Sequence, residues 1–339
     1  MHLKKLLITS TIIAATSISN NTVADIKISG EQEWNYLDAG GSFKSTLGSS
    51  TSFTFTSTGD LNNGISYLVK FTLEDGDQSY RAITFDLGSG LKLGIGYDQS
   101  YGIETVKAIS PYVNNRRADI TGAHRGLPTA ARKPLGPDVW DTSSGENAIG
   151  LSFKNDLAAI SFGFTPVRDV NTSTDAIATS SATSSEYGTA SSIGVKLTPV
   201  DGLTIGFGTS SEESDATANS DPKGTTIGFQ YKIGSFAIGY QEIENIIDSA
   251  SATEDSVEIQ EGGVAYKVND ALTIGVFAAN INYLTVNTDN GVETGMGIVQ
   301  VGYNLGPAVI QYDYADGSDL NSTKDTEYEI HKIKVKIQF

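Results

Sequence analysis

The sequence predicts an all-β fold: a transmembrane antiparallel β-barrel of about sixteen strands, with one long loop folded into its lumen. Three observations predict it. Short segments along most of the chain carry an apolar residue at every second position, as in Ile65, Tyr67, Val69, Phe71 and Leu73, so that one face of each is apolar and the other polar. The connections between these segments alternate between tight turns and long polar stretches. A soluble sandwich has no reason to put all its short turns at one end, whereas an outer-membrane barrel places short turns on the periplasmic side and long loops outside. Residues 98–146 then break the pattern. They show no alternation, contain Pro111, Pro128, Pro134 and Pro137, and hold four of the six arginines, Arg116, Arg117, Arg125 and Arg132. A loop of about fifty residues is uncommon in a compact fold and is usually functional.

Bulk properties narrow the class. Residues 1–24 read as a secretory signal: Lys4 and Lys5 form the positive start, residues 6–18 the apolar stretch, and Thr22-Val23-Ala24 a small-residue cleavage site. The mature barrel domain is expected to span residues 25–339. Loss of Lys4 and Lys5 takes the formal net charge from −17 to −19. No later run reaches eighteen apolar residues, which excludes helical membrane spans. A mean hydropathy of −0.15 is compatible with a barrel, because only alternate residues face lipid. The absence of cysteine excludes a disulfide scaffold, a Cys-ligated metal and a Cys nucleophile. The acidic balance disfavours nucleic acid as a partner.

The elements follow in order. Ile26 and Ile28, continued by Trp34 and Tyr36, begin the alternation, with Lys27, Ser29, Glu31 and Glu33 on the other face. Phe53 and Phe55 mark a second strand, and Asp60 to Gly64 supplies a hairpin turn into the third. Asp75-Gly76 and Ser89-Gly90 turn the chain into Ile83, Phe85 and Leu87 and then Leu91, Leu93, Ile95 and Tyr97, making five strands before the long loop. Eleven more follow it, from Ile149, Leu151 and Phe153 to Ile333, Val335, Ile337 and Phe339. Val257 and Ile259 differ in parity from Val264, Tyr266 and Val268, which predicts a bulge at Gly262-Gly263. Closing the sheet leaves no unpaired edge in lipid.

With these residues in view, nearly the whole mature chain resembles the general porins of Gram-negative Proteobacteria. The resemblance rests on the signal, the sixteen-strand rhythm, the long loop after the fifth strand, the hairpin Asn147 to Phe153 with Ile160 to Phe164, and a last strand ending in Phe339. It implies an outer-membrane homotrimer of water-filled pores for small hydrophilic solutes, set in outer-membrane lipid and lipopolysaccharide. It also implies that Phe339 assists recognition by the barrel assembly machinery. Residues 114–120 are more basic than the constriction loop of enterobacterial members.

On the observed parity, ten lysines oppose the apolar face and point into the lumen: Lys27, Lys70, Lys92, Lys154, Lys196, Lys232, Lys267, Lys332, Lys334 and Lys336. Charge is tolerated there and is costly on the lipid face. Lys70, Lys332 and Lys334 fall furthest from their turns and are the candidates for the narrow zone, together with Arg116, Arg117, Arg125 and Arg132. Residues 107–133 also carry Lys107 and Lys133 against the single acid Asp119. Basic rings favour anions, so a weak anion preference is expected. The alternative for each arginine is a pairing with Glu31, Glu74, Asp86 or Asp313 that only pins the loop. Acids gather toward the outer loops (Glu212, Glu213, Asp215 and Asp221; Glu244, Asp248, Glu254 and Asp255; Asp316, Asp319 and Asp325), where they are solvated or could hold Ca²⁺, though without the spacing of a Ca²⁺ loop. No cofactor is expected.

Catalysis has little support, since the mature chain offers only His124 and His331 and no Cys. His331 shares the outward parity of its strand. A plugged adhesion or surface-structural barrel is the competing reading, and a barrel enzyme the third. Conductance in a bilayer separates them.

Overall fold

The computed structural model describes residues 25–39, 45–97, 101–106, 109–114, 147–166, 187–214, 223–247, 255–284, 293–318 and 327–339. Sixteen strands run in chain order. The first five are β1 (Asp25–Ala39), β2 (Thr46–Asp60), β3 (Ser66–Glu74), β4 (Asp77–Gly88) and β5 (Leu91–Tyr97). Next come β6 (Asn147–Lys154), β7 (Ala158–Thr165), β8 (Tyr187–Val200), β9 (Leu203–Ser214), β10 (Lys223–Ile233) and β11 (Phe236–Ile247). The last five are β12 (Asp255–Lys267), β13 (Leu272–Leu284), β14 (Glu293–Asn304), β15 (Ala308–Ser318) and β16 (Glu327–Gln338). Each pairs antiparallel with its neighbours, and β16 closes on β1 with Trp34 opposite Val335, giving the expected closed barrel.

Closure gives every strand a hydrogen-bonded neighbour on both sides, the condition for crossing lipid with strands. The tight turns follow from residues that accept positive φ. Asp75 and Gly76 (φ 51° and 98°) and Ser89 and Gly90 (φ 53° and 83°) both reverse the chain in two residues, matching the twist of the flanking strands.

The period-two pattern sorts the two faces as read. Ile227, Phe229 and Tyr231 on β10 and Ile274 and Val276 on β13 stand exposed on the outside. Between them in the same strands, Gly228 and Gly275 are buried against the interior. Near the short turns the outer face ends in aromatics: Tyr231, Tyr266 and Tyr303, with Phe236 and Tyr266 at 4.6 Å between ring centroids. Such a girdle marks the membrane interface.

The bulge expected at Gly262-Gly263 is absent. The β12–β13 register runs unbroken from Ser256 opposite Leu284 to Lys267 opposite Thr273. Ile259 looked out of phase because it faces inward and is fully buried there, packed in the lumen with Ile103, Val106, Ile109 and Ile243. An apolar side chain on the polar face signals an inner packing partner, and here that partner is the long loop. The irregularities in register lie elsewhere, at Thr72/Leu73, Asp86/Gly88, Tyr187/Ala190 and Leu197/Val200.

Candidate functional site

After β5 the chain turns inside the barrel. Residues 101–106 and 109–114 lie against the inner wall, first as a short 3₁₀ helix (Gly102–Val106) and then as an irregular strip reaching β15. Ile103 and Val106 are fully buried, and Tyr101, Ile109 and Ser110 nearly so. The wall is shaped for this belt by inward-facing glycines. A Cβ at Gly94 or Gly150 would strike the Tyr101 ring, at Gly206 the Ile109 side chain, at Gly239 Pro111, and at Gly302 Val113 and Asn114. Strand glycine weakens a sheet but lets another segment approach closely.

A segment off any sheet must find partners for its own backbone groups, and side chains of the wall supply them. Ser161 Oγ accepts the Gly102 N–H at 2.9 Å. Gln241 accepts the Ile109 N–H at 3.0 Å and donates to the Val106 carbonyl at 3.0 Å. Gln230 donates to the Ile109 carbonyl at 3.3 Å. Tyr112 donates to Glu261 at 3.1 Å, and its ring packs tilted on Phe277 with centroids 4.5 Å apart. Gln300 accepts the Val113 and Asn114 N–H groups at 3.0 and 3.4 Å. The Asn114 amide then donates to Asp313 at 2.8 Å and to the carbonyls of Val301 and Tyr312.

Facing this end of the belt is a charged ladder on β16, β1 and β15. Lys334 lies 3.1 Å from Glu33, with the two side chains only 14% and 15% exposed, and Lys336 lies 2.7 Å from Glu31. Lys332 stands directly across from Asp313 in the register. The candidates Lys332 and Lys334 are thus brought together on the inner wall. Lys70 is inward too but on β3, with its ammonium 4.5 Å from the Tyr80 ring centroid. Arg116, Arg117, Arg125 and Arg132 lie outside the described residues. Of the acids weighed as their partners, Glu31 pairs with Lys336, Asp313 accepts from Asn114, and Asp86 lies 4.0 Å from Lys92.

The family comparison agrees with this architecture of strands and inner belt. The sequence model of the Gram-negative porins matches residues 9–320. This chain is a Gram-negative porin. No curated protein matches it. A porin structure refined at 1.8 Å shares 16% identity at a TM-score of 0.66, covering 93% of this chain and 100% of its own. The trimer form of OmpT, an outer membrane protein of Vibrio cholerae, shares 13% at 0.65, covering 93% and 99%. An anion-selective porin from Comamonas acidovorans shares 12% at 0.65, covering 93% and 100%. At these identities the likeness is one of fold. The family and the closed barrel make the chain an outer-membrane pore for passive diffusion.

The porin's belt residues Gln241, Gln300, Glu261 and Asn114 escaped the sequence reading. A signal existed: Gln241 and Gln300 are amides at inward positions beside inward glycines, Gly239 and Gly302. Phe339 does face outward. Its backbone exchanges hydrogen bonds with Gly30 at 2.7 and 3.0 Å, and its ring covers Gly30 and meets Phe53 edge-on at 6.0 Å. His331 also faces outward, 2.8 Å from the Tyr312 hydroxyl and 3.3 Å from Glu329. Among the acids considered for Ca²⁺, Glu212 is buried and Glu244 sits opposite Thr225 and Glu258. No three carboxylates or imidazoles converge among the described residues.

Proposed function

We propose that this porin passes ions and small hydrophilic solutes with a weak preference for small anions, and that it works as a homotrimer. The observation that carries the selectivity is the neutralised wall beside the belt. Glu31 and Glu33 are each held by a lysine, and Asp313 is tied by Asn114 and faces Lys332. Arg116 and Arg117 follow Asn114 by two and three residues. With Glu31, Glu33 and Asp313 each beside a lysine, Arg116, Arg117, Arg125, Arg132 and Lys70 set the sign of the local field in this reading. In this reading the acids toward the outer loops concentrate cations at the mouth, and salt screens their field over a Debye length of about 8 Å. The test is a reversal potential across a KCl gradient, for the wild type and for Arg116→Glu with Arg117→Glu. An anion preference lost in the variant supports the reading. A cation-selective wild type whose potential ignores the variant overturns it.

The trimer reading is supported by the outer face. On the outer face of β1 and β2 a polar stretch, Gly30, Gln32, Ser49 and Thr51, lies between apolar residues such as Ile28 and Trp34. Thr51 donates to Gln32 at 2.5 Å on that outer face, where lipid offers polar groups nothing. A second protomer covers such a surface better than hydrocarbon. Export by residues 1–24, contact with lipopolysaccharide and assembly through Phe339 complete the proposal.

A second reading, a surface-structural barrel without an open pore, draws on Met296, Ile298, Ala315 and Ile330, which face inward yet are nearly or fully buried. Silence in a planar bilayer would favour it.

A further inference from the structure

The ten inward lysines are not equivalent. Lys334 and Lys336 are held by Glu33 and Glu31, Lys92 lies 4.0 Å from Asp86, and Lys267 lies 2.8 Å from Asp270. Lys154 and Lys196, like Lys27 and Lys70 across Thr56, have no such acid among the described residues. The register sets Lys154 opposite Ala159, and Ala159 opposite Lys196, in one row across β6, β7 and β8. Both face the lumen, since Gly150 and Gly194 of the same parity carry the belt. Only the small Ala159 side chain stands between these two like-charged residues in that row. Among the described residues no carboxylate lies within 4.0 Å of either.

Like charges on one face repel at such a separation, and a protein that keeps two of them without an acid leaves room for an anion between them. Two strand spacings separate the Lys154 and Lys196 backbones, about 10 Å, which their long side chains can close on a small group. Lysine ammoniums bind phosphate as point charges. The position matters as well. Lys196 is the next inward residue after Gly194, on the side of the β8–β9 turn, so the pair stands on the periplasmic side of the belt.

We propose that Lys154 and Lys196 form an anion site for a phosphate dianion, free or carried on a small solute, at the periplasmic exit of the lumen. It rests on the pore reading for its use, but the site itself can be tested without conductance. The ³¹P line width of inorganic phosphate is titrated against the full-length detergent-solubilised porin at pH 8, in dilute salt. Broadening is expected for the wild type, and Lys154→Gln with Lys196→Gln should weaken apparent binding at least about fivefold. Lys267→Gln, which removes a lysine already paired at a turn, should leave it unchanged. Glucose 6-phosphate in parallel separates a site for free phosphate from one for phosphorylated solutes.

Phosphate block of the chloride current in planar bilayers reads the same site in the working pore and should weaken in the same double variant. Binding equal in wild type and double variant, or lost equally with Lys267→Gln, would overturn the assignment. A silent bilayer with intact, variant-sensitive phosphate binding would overturn the pore reading and keep the site.

Discussion

The side-chain amide of Asn114 lies 2.8 Å from the carboxylate of Asp313 and so ties the belt to β15, beside Lys332. Asp313 is fully buried, and a buried carboxylate that loses a donor is left under-satisfied. Asn114→Ala should cost about 1–3 kcal/mol, read as a lower temperature for conversion from folded to unfolded barrel on unboiled gels. It should also raise open-channel noise, because that end of the belt is released. Unchanged noise would mean that Gln300 and the Tyr112 contacts hold the segment without the Asn114 side chain.

Gly150 faces the lumen where the Tyr101 ring crosses it. Gly150→Ala should overpack this contact and destabilise the barrel by about 1–3 kcal/mol. Gly297→Ala, on the outer face with nothing within 4 Å, is the control and should leave the unfolding temperature unchanged. Equal behaviour of the two would show that the belt yields to a methyl group.

Lys334 and Glu33 compensate each other on the inner wall. Lys334→Gln should therefore unmask Glu33 and move the reversal potential toward cations, while Glu33→Gln should move it toward anions. A potential insensitive to both would place the pair outside the permeation path.

The fold was readable because lipid and lumen impose a strict period of two, and because turn chemistry at Asp75-Gly76 and Ser89-Gly90 is local. The inward direction of Lys332 and Lys334 followed from the same parity. The belt's attachments were not readable in full, since they join residues such as Ile109 and Gln241 that are 132 positions apart and obey no period. Ile259 shows the cost of reading parity alone: an inward isoleucine packed on the loop imitates a bulge. The ion pairs of Glu31 and Glu33 needed the closing register of β1 on β16, which only the closed barrel supplies.

Phe339 covers Gly30 with its ring on the outer face and exchanges two backbone hydrogen bonds with it. Deleting Phe339 should lower outer-membrane insertion in cells severalfold. Gly30→Ala, which only displaces an exposed ring, should insert normally. If both variants fall together, the residue acts through packing and not as an assembly signal.

The central claim is that the closed sheet encloses an open path alongside the inner belt. Single-channel recording of the purified full-length protein in planar bilayers tests it most directly. The expected result is stepwise, ohmic conductance. Faithful insertion with no conductance steps would contradict it and leave a plugged surface barrel in its place.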